Sequence, residues 1–234
     1  MVGGDRRRNS GKQASSGTNV FRRSFRFAHG WELAAPKDTP ASLIRDFLRP
    51  AVRAVPSQMA GQIGFCRISL VGDLGGSNVV SQWIASGREL RISISNSGRG
   101  DHDVAMELLL CLGQALWQKL SSGQLKAYWL LLDSELLAGI SGEIDEDALR
   151  EKRALLGGRI SATGNRRLER YGRASFAGTA AEYVHCLWHD VTVVTGPEHL
   201  PARQLWRRLE LLSSWFPPDR GHKLCPAPEA GSAT

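Results

Sequence analysis

The run Val104-Ala105-Met106-Glu107-Leu108-Leu109-Leu110-Cys111-Leu112-Gly113 constrains this chain more than any other segment. Leucine and alanine favour a helix here, and apolar side chains fall on nearly every side of it. A helix apolar all round belongs at the centre of a core, with other elements packed about it. Glu107 is the one charge in the run. A buried ionised carboxylate is costly unless it is paired, hydrogen-bonded or bound to metal, so Glu107 requires a partner or a raised pKa. A second arrangement also fits. Asp103, Glu107, Gln114 and Gln118, spaced 4, 7 and 4 apart, share one helical face and would form a narrow exposed stripe.

The period changes along the rest of the chain. Phe65-Cys66-Arg67-Ile68-Ser69-Leu70-Val71 alternates apolar with polar residues, which predicts a half-buried strand. Val79 to Ile84 and Leu90 to Ile94 predict two more strands, joined as a hairpin through Ala85-Ser86-Gly87-Arg88. Upstream, Phe21, Phe25 and Phe27 suit a first strand or arm, and Thr39-Pro40 opens a helix with Leu43, Ile44, Phe47 and Leu48. From Asp101 the spacing is helical, over about 101–120, 124–140 and 145–156. Two more helices follow, from Ser175 or Thr179 to about His189 and from Leu200 to Trp215. The stretch 157–174, rich in Gly and Arg, reads as a surface loop with a basic patch of Arg166, Arg167, Arg170 and Arg173. Strands grouped before helices predict an α+β fold. It is expected to be a small antiparallel sheet (about residues 64–95) packed against a C-terminal bundle of about five helices. Residues 21–216 form one domain in this reading, between a disordered basic arm (1–20) and a disordered Pro/Ala/Gly-rich tail (217–234).

Composition narrows the function classes. With 42% hydrophobic and 23% charged residues, the chain is not wholly disordered or fibrous. The formal charge of +7 looks like a nucleic-acid signal until it is located. Residues 1–30 hold Arg6, Arg7, Arg8, Lys12, Arg22, Arg23 and Arg26 against Asp5 alone, so about +1 remains for everything after. Such an arm touches phosphate or anionic lipid at low salt. Neither a membrane span nor a secretory leader is expected, which suggests a cytoplasmic protein. Cys66, Cys111, Cys186 and Cys225 show no metal-ligand spacing, and the first three read as small buried hydrophobes with reduced thiols. No G-x-S-x-G elbow anchors a hydrolase triad.

Met106-Glu107-Leu108-Leu109-Leu110-Cys111-Leu112-Gly113 resembles the H-E-x-x-H-x-x-G signature of zincin metallopeptidases. The glutamate and the glycine match, while Met106 and Leu110 stand at the two histidine positions. The resemblance implies a zincin-like fold in which this helix follows the last strand and a later helix carries Glu182, the third ligand of the gluzincin branch. In that family the histidines bind zinc and the glutamate is general base to the metal-bound water. Here the resemblance implies a fold that has lost its zinc ligands, with Glu107 retained in the general-base position.

A second face carries possible metal chemistry. Glu182, His185 and His189 fall at i, i+3 and i+7 on one side of a predicted helix, and two histidines four apart can chelate zinc. His102 and His199 read as helix-boundary residues. The leading expectation is a non-catalytic zincin-like module without cofactor, working through the cleft beside Glu107 and Glu182 or through the Trp-rich last helix, on an unknown protein partner. The second is a metal-dependent, peptidase-like hydrolase using His185, His189 and a carboxylate, with zinc as cofactor. The third is a nucleic-acid-associated protein acting through residues 1–30.

Overall fold

The computed structural model of the chain describes residues 22–75, 79–157, 164–189 and 196–224. The expected arm at 1–20 and residues 225–234 of the expected tail lie outside them, as does Cys225. Strands β1 (Arg22–Arg26) and β2 (Glu32–Pro36) come first in the chain. Alternation in Phe65–Val71 produces strand β3, with Cys66, Ile68 and Leu70 fully buried and Arg67 exposed. After β4 (Ser81–Ser86), strand β5 (Glu89–Ser95) repeats the pattern with Leu90, Ile92 and Ile94. Strands β3 and β5 run parallel in a register that pairs Cys66 with Leu90, Ile68 with Ile92 and Leu70 with Ile94, so one face is an unbroken apolar surface. On the opposite face Arg67 sits 3.5 Å from Glu32 and 3.4 Å from Glu89.

Strands β1 and β2 extend this sheet on one side, and β4 folds back on β5 through Gly87-Arg88 on the other. The order is β1-β2-β3-β5-β4, so β4 is an edge. The architecture is α+β, as the grouping of strands and helices predicts, but the sheet differs from the small antiparallel one expected over 64–95. It begins at Arg22 and is mixed, with parallel β2–β3 and β3–β5 pairs inside antiparallel outer ones. Parallel pairing needs a crossover, and the helical segment between β2 and β3 provides it. That segment opens on a wide π-type turn, Leu43–Leu48, and continues as α1 (Arg49–Ala54) and α2 (Ser57–Ile63). Pro50 has no N–H to offer the preceding turn, and the Arg49 N–H reaches back to Ile44 O.

Five helices follow: α3 (Asp101–Trp117), α4 (Ser122–Leu137), α5 (Glu146–Leu156), α6 (Gly164–His185) and α7 (Ala202–Trp215). Two of their N-termini are capped by side chains. Ser121 and Gln124 form a reciprocal capping box on α4, and Asp145 accepts from the Asp147 and Ala148 amides to cap α5. Helix α6 corrects the expected loop at 157–174: helix begins at Gly164, so the four arginines lie on a helical surface. Gly172 obscures this in the sequence. It lies inside the helix because the Trp129 indole occupies the space a Cβ would need. Among the described residues no helix is long and apolar enough to cross a membrane.

Helix α3 packs against α6 at the centre of the molecule, and Gly113 sets their separation. A Cβ there would stand 2.8 Å from Ala177 O and 2.9 Å from Ala177 Cα, both backbone atoms that cannot swing aside. Gly113→Ala should therefore destabilise the fold by about 1–3 kcal/mol through overpacking, although alanine intrinsically favours a helix by about 1 kcal/mol. A lowered urea midpoint would register this; a midpoint at or above wild type would show that the two helices separate freely.

Candidate functional site

Between the free side of β4 and helix α3 lies a cleft of about 1040 Å³, closed on its far side by α6 and the first turn of α5. Glu107 lines it and is half-buried. Its Oε1 accepts a 2.6 Å hydrogen bond from the Ser81 hydroxyl, whose oxygen is in turn 3.2 Å from the Cys111 thiol. Two turns further along α3, Trp83 Nε1 donates to Gln114 Oε1 at 2.8 Å. Both arrangements open to Glu107 in the sequence are thus partly realised. It lies on a polar stripe with exposed Asp103 and Gln118, and it also has a specific partner on β4. The stripe is where α3 meets the edge strand, so the helix is not apolar on all sides.

Met106 and Leu110 line the same cleft on either side of Glu107. A thioether and a hydrocarbon replace the two imidazoles that the zincin signature requires, so these residues do not fit a zinc ion there. The cleft is charged with both signs: Asp103, Asp145 and Asp147 face it together with Arg99, Arg150 and Arg173. Arg150 pairs with Asp147 at 2.7 Å. Burial raises the pKa of Asp145 above the usual carboxylate range, with the charges of Asp147 and Glu107 adding to it and the Asp147 and Ala148 amides opposing.

Glu182, His185 and His189 do not line this cleft. The packing of α3 on α6 carries them instead to the N-terminus of α3, against His102, whose place at a helix boundary gives it no role in the sequence. His102 Nε2 and His185 Nε2 are 3.1 Å apart. The His185 and His189 rings stack at 5.3 Å, and the His102 and His189 centroids are 5.8 Å apart. Glu182 Oε2 lies 3.5 Å from His185 Nδ1, an ion-pair distance, and that buried nitrogen has no hydrogen-bond partner. Burial lowers the His102 pKa, and the neighbouring imidazoles lower it further against the opposing pull of Asp103 and Glu182. His199 sits elsewhere, in a backbone β-bridge with Glu143.

A third constellation has no counterpart among the sequence motifs. Arg208, fully buried, donates through Nη2 to Glu135 Oε2 at 2.5 Å and through Nη1 to Glu143 Oε2 at 2.8 Å and Ser175 Oγ at 2.8 Å. Lys152 Nζ and the Tyr171 hydroxyl reach Glu143 Oε1 at 3.0 and 2.6 Å. Two carboxylates and two cations cancel, and the network ties α4, α5, α6 and α7 together. Its members face one another rather than a cavity, which makes it a structural centre. No family model, curated protein or solved structure matches the chain.

Proposed function

We propose that the chain is a non-catalytic, zincin-like interaction module that binds an extended polypeptide segment along β4. The observation that carries this is the side of the edge strand, beside the Glu107 cleft, that pairs with no strand among the described residues. The Ser95 N–H donates to Val80 O at 2.8 Å, which marks Val80/Ser95 as a hydrogen-bonded pair. By the alternation of an antiparallel ladder, Gln82, Ile84 and Ser86 bond to β5, and the amides and carbonyls of Ser81, Trp83 and Ala85 point outward. An incoming strand would satisfy them, with side-chain pockets in the cleft giving selectivity. The cleft's two signs of charge suit a polypeptide bearing both, better than a polyanion. Last strand, Glu107 helix and a downstream helix follow in the order the resemblance implies, but Glu182 stands by the N-terminus of α3 rather than beside Glu107, and Met106 and Leu110 offer no zinc ligands there.

The test is selection of heptapeptides from a displayed library on the full chain, followed by backbone N-methylation of the binders. Methylating alternate peptide amides should lower affinity at least tenfold in one phase of alternation and little in the other, with slowed hydrogen exchange confined to β4. Equal tolerance of methylation at every position, or protection that maps elsewhere, would sink the reading.

A further inference from the structure

We propose that His102, His185 and His189 form a binding site for one divalent transition-metal ion, zinc by ligand chemistry, with Glu182 orienting His185. The site is separate from the β4 cleft and holds whether or not that cleft binds peptide. It joins the two ends of the central helix pair: His102 stands in the first turn of α3, while His185 ends α6 and His189 lies one turn beyond it.

One pair of nitrogens already stands near the separation that a coordination sphere requires. Two nitrogens bound tetrahedrally to zinc at about 2.0–2.1 Å are separated by about 3.3 Å. His102 Nε2 and His185 Nε2 already stand 3.1 Å apart. The His185 nitrogen turned away from that pair, Nδ1, faces Glu182 Oε2 at 3.5 Å. A metal-bound imidazole hands its other N–H to a carboxylate, which fixes tautomer and ring orientation, and Glu182 stands at ion-pair distance for that role. Glu182 is thus a positioning residue, while the imidazoles are the ligands. As the side chains stand, no three His, Cys, Asp or Glu donors among the described residues converge on one metal position. The third ligand is reached by turning the exposed His189 ring about its χ angles, with water completing the tetrahedron.

The ring spacing suits a shared ion. The three imidazole centroids stand 5.0, 5.3 and 5.8 Å apart, close enough for their nitrogens to reach one ion between them. A single divalent ion replaces the shared proton between His102 and His185 and gives the Glu182 carboxylate a net-positive neighbour. Of the buried cysteines, Cys66 and Cys111 are held as thiols by burial, and Cys186, next to the site, turns its thiol toward Glu182 Oε1 at 4.0 Å.

The experiment is titration of the full, chelator-treated chain with zinc chloride and, separately, cobalt chloride. One zinc per chain should bind in calorimetry and raise the melting temperature, and cobalt should give visible ligand-field bands without a thiolate charge-transfer band. His102→Asn and His185→Asn should each weaken zinc binding at least tenfold, and Glu182→Gln by about 10–100-fold, as loss of an orienting partner does. His189→Asn, at an exposed position, should melt like wild type without metal and still lose at least tenfold in affinity, which covers a folding failure in the buried variants. No uptake by the folded wild-type chain, unchanged uptake in His189→Asn, or a thiolate band with cobalt would overturn the site.

Discussion

Arg208→Met should unfold at a much lower urea concentration than wild type, losing about 3–5 kcal/mol. The substitution leaves Glu135 and Glu143 buried with only Lys152 to balance them, and an uncompensated buried charge carries that order of cost. Against a typical domain stability of about 5–15 kcal/mol, this is a third or more of the total. The ion network itself need not exceed a well-packed apolar core, because desolvation consumes much of the Coulombic gain. Charge balance therefore makes a sharper statement. Arg208→Met combined with Glu135→Met removes one charge of each sign and leaves the Glu143–Lys152 pair, with Tyr171 still donating to it. The double variant should be more stable than Arg208→Met alone. A single variant costing under about 1 kcal/mol, or a double variant no better than the single, would show that the charges are not what holds these four helices in register.

That network shows where a sequence stops being informative. Arg208 interrupts the apolar stripe of Leu205, Leu209 and Leu212, and Glu135 falls in register with Tyr128, Leu131 and Leu132, so both anomalies are legible locally. Their being each other's solution is not, since it depends on α7 lying over α4 across 73 residues of chain. The acidic run 143–147 illustrates the same limit. Asp145 does cap a helix, as negative charge at a helix start predicts, but Glu143 turns inward to the core. His102 carries no local signal at all: one histidine in the first turn of a helix acquires meaning only when α6 brings two more beside it. By contrast the Glu182, His185 and His189 face, the alternation in β3 and β5 and the acidic start of α5 are properties of period and neighbour chemistry, and these could be read directly.

The two candidate surfaces divide the central helix α3 between them. Its polar stripe serves β4 and the cleft through Glu107 and Gln114, while its first turn serves the imidazole cluster through His102. Asp103 lines the cleft one residue from His102, so an ion held by the imidazoles would add positive charge near the mouth of the cleft. Gly113 links the pair mechanically, because the α3–α6 spacing it permits also sets the distance from His102 to His185.

Acid should remove the stabilisation contributed by Glu143. Burial alone would raise the pKa of this carboxyl, but the charge and hydrogen bonds of Arg208, with Lys152 and Tyr171 assisting, outweigh it and hold the group down to about 2 from an ordinary 4.5. A depressed carboxyl pKa means that the unfolded chain binds the proton first. Its contribution is complete above about pH 4.5 and disappears as the pH falls toward 2, an effect on the order of 3 kcal/mol. Glu143→Gln isolates it, because the amide does not titrate. Urea midpoints of wild type and Glu143→Gln should differ most at neutral pH and approach one another between about pH 4.5 and 2.5. Since the substitution also leaves Arg208 and Lys152 with only Glu135 between them, the variant should be the weaker of the two at pH 7. A gap that stayed constant across the whole titration would mean that Glu143 enters the folded core already protonated, and the balanced-charge account of the helix bundle would fail with it.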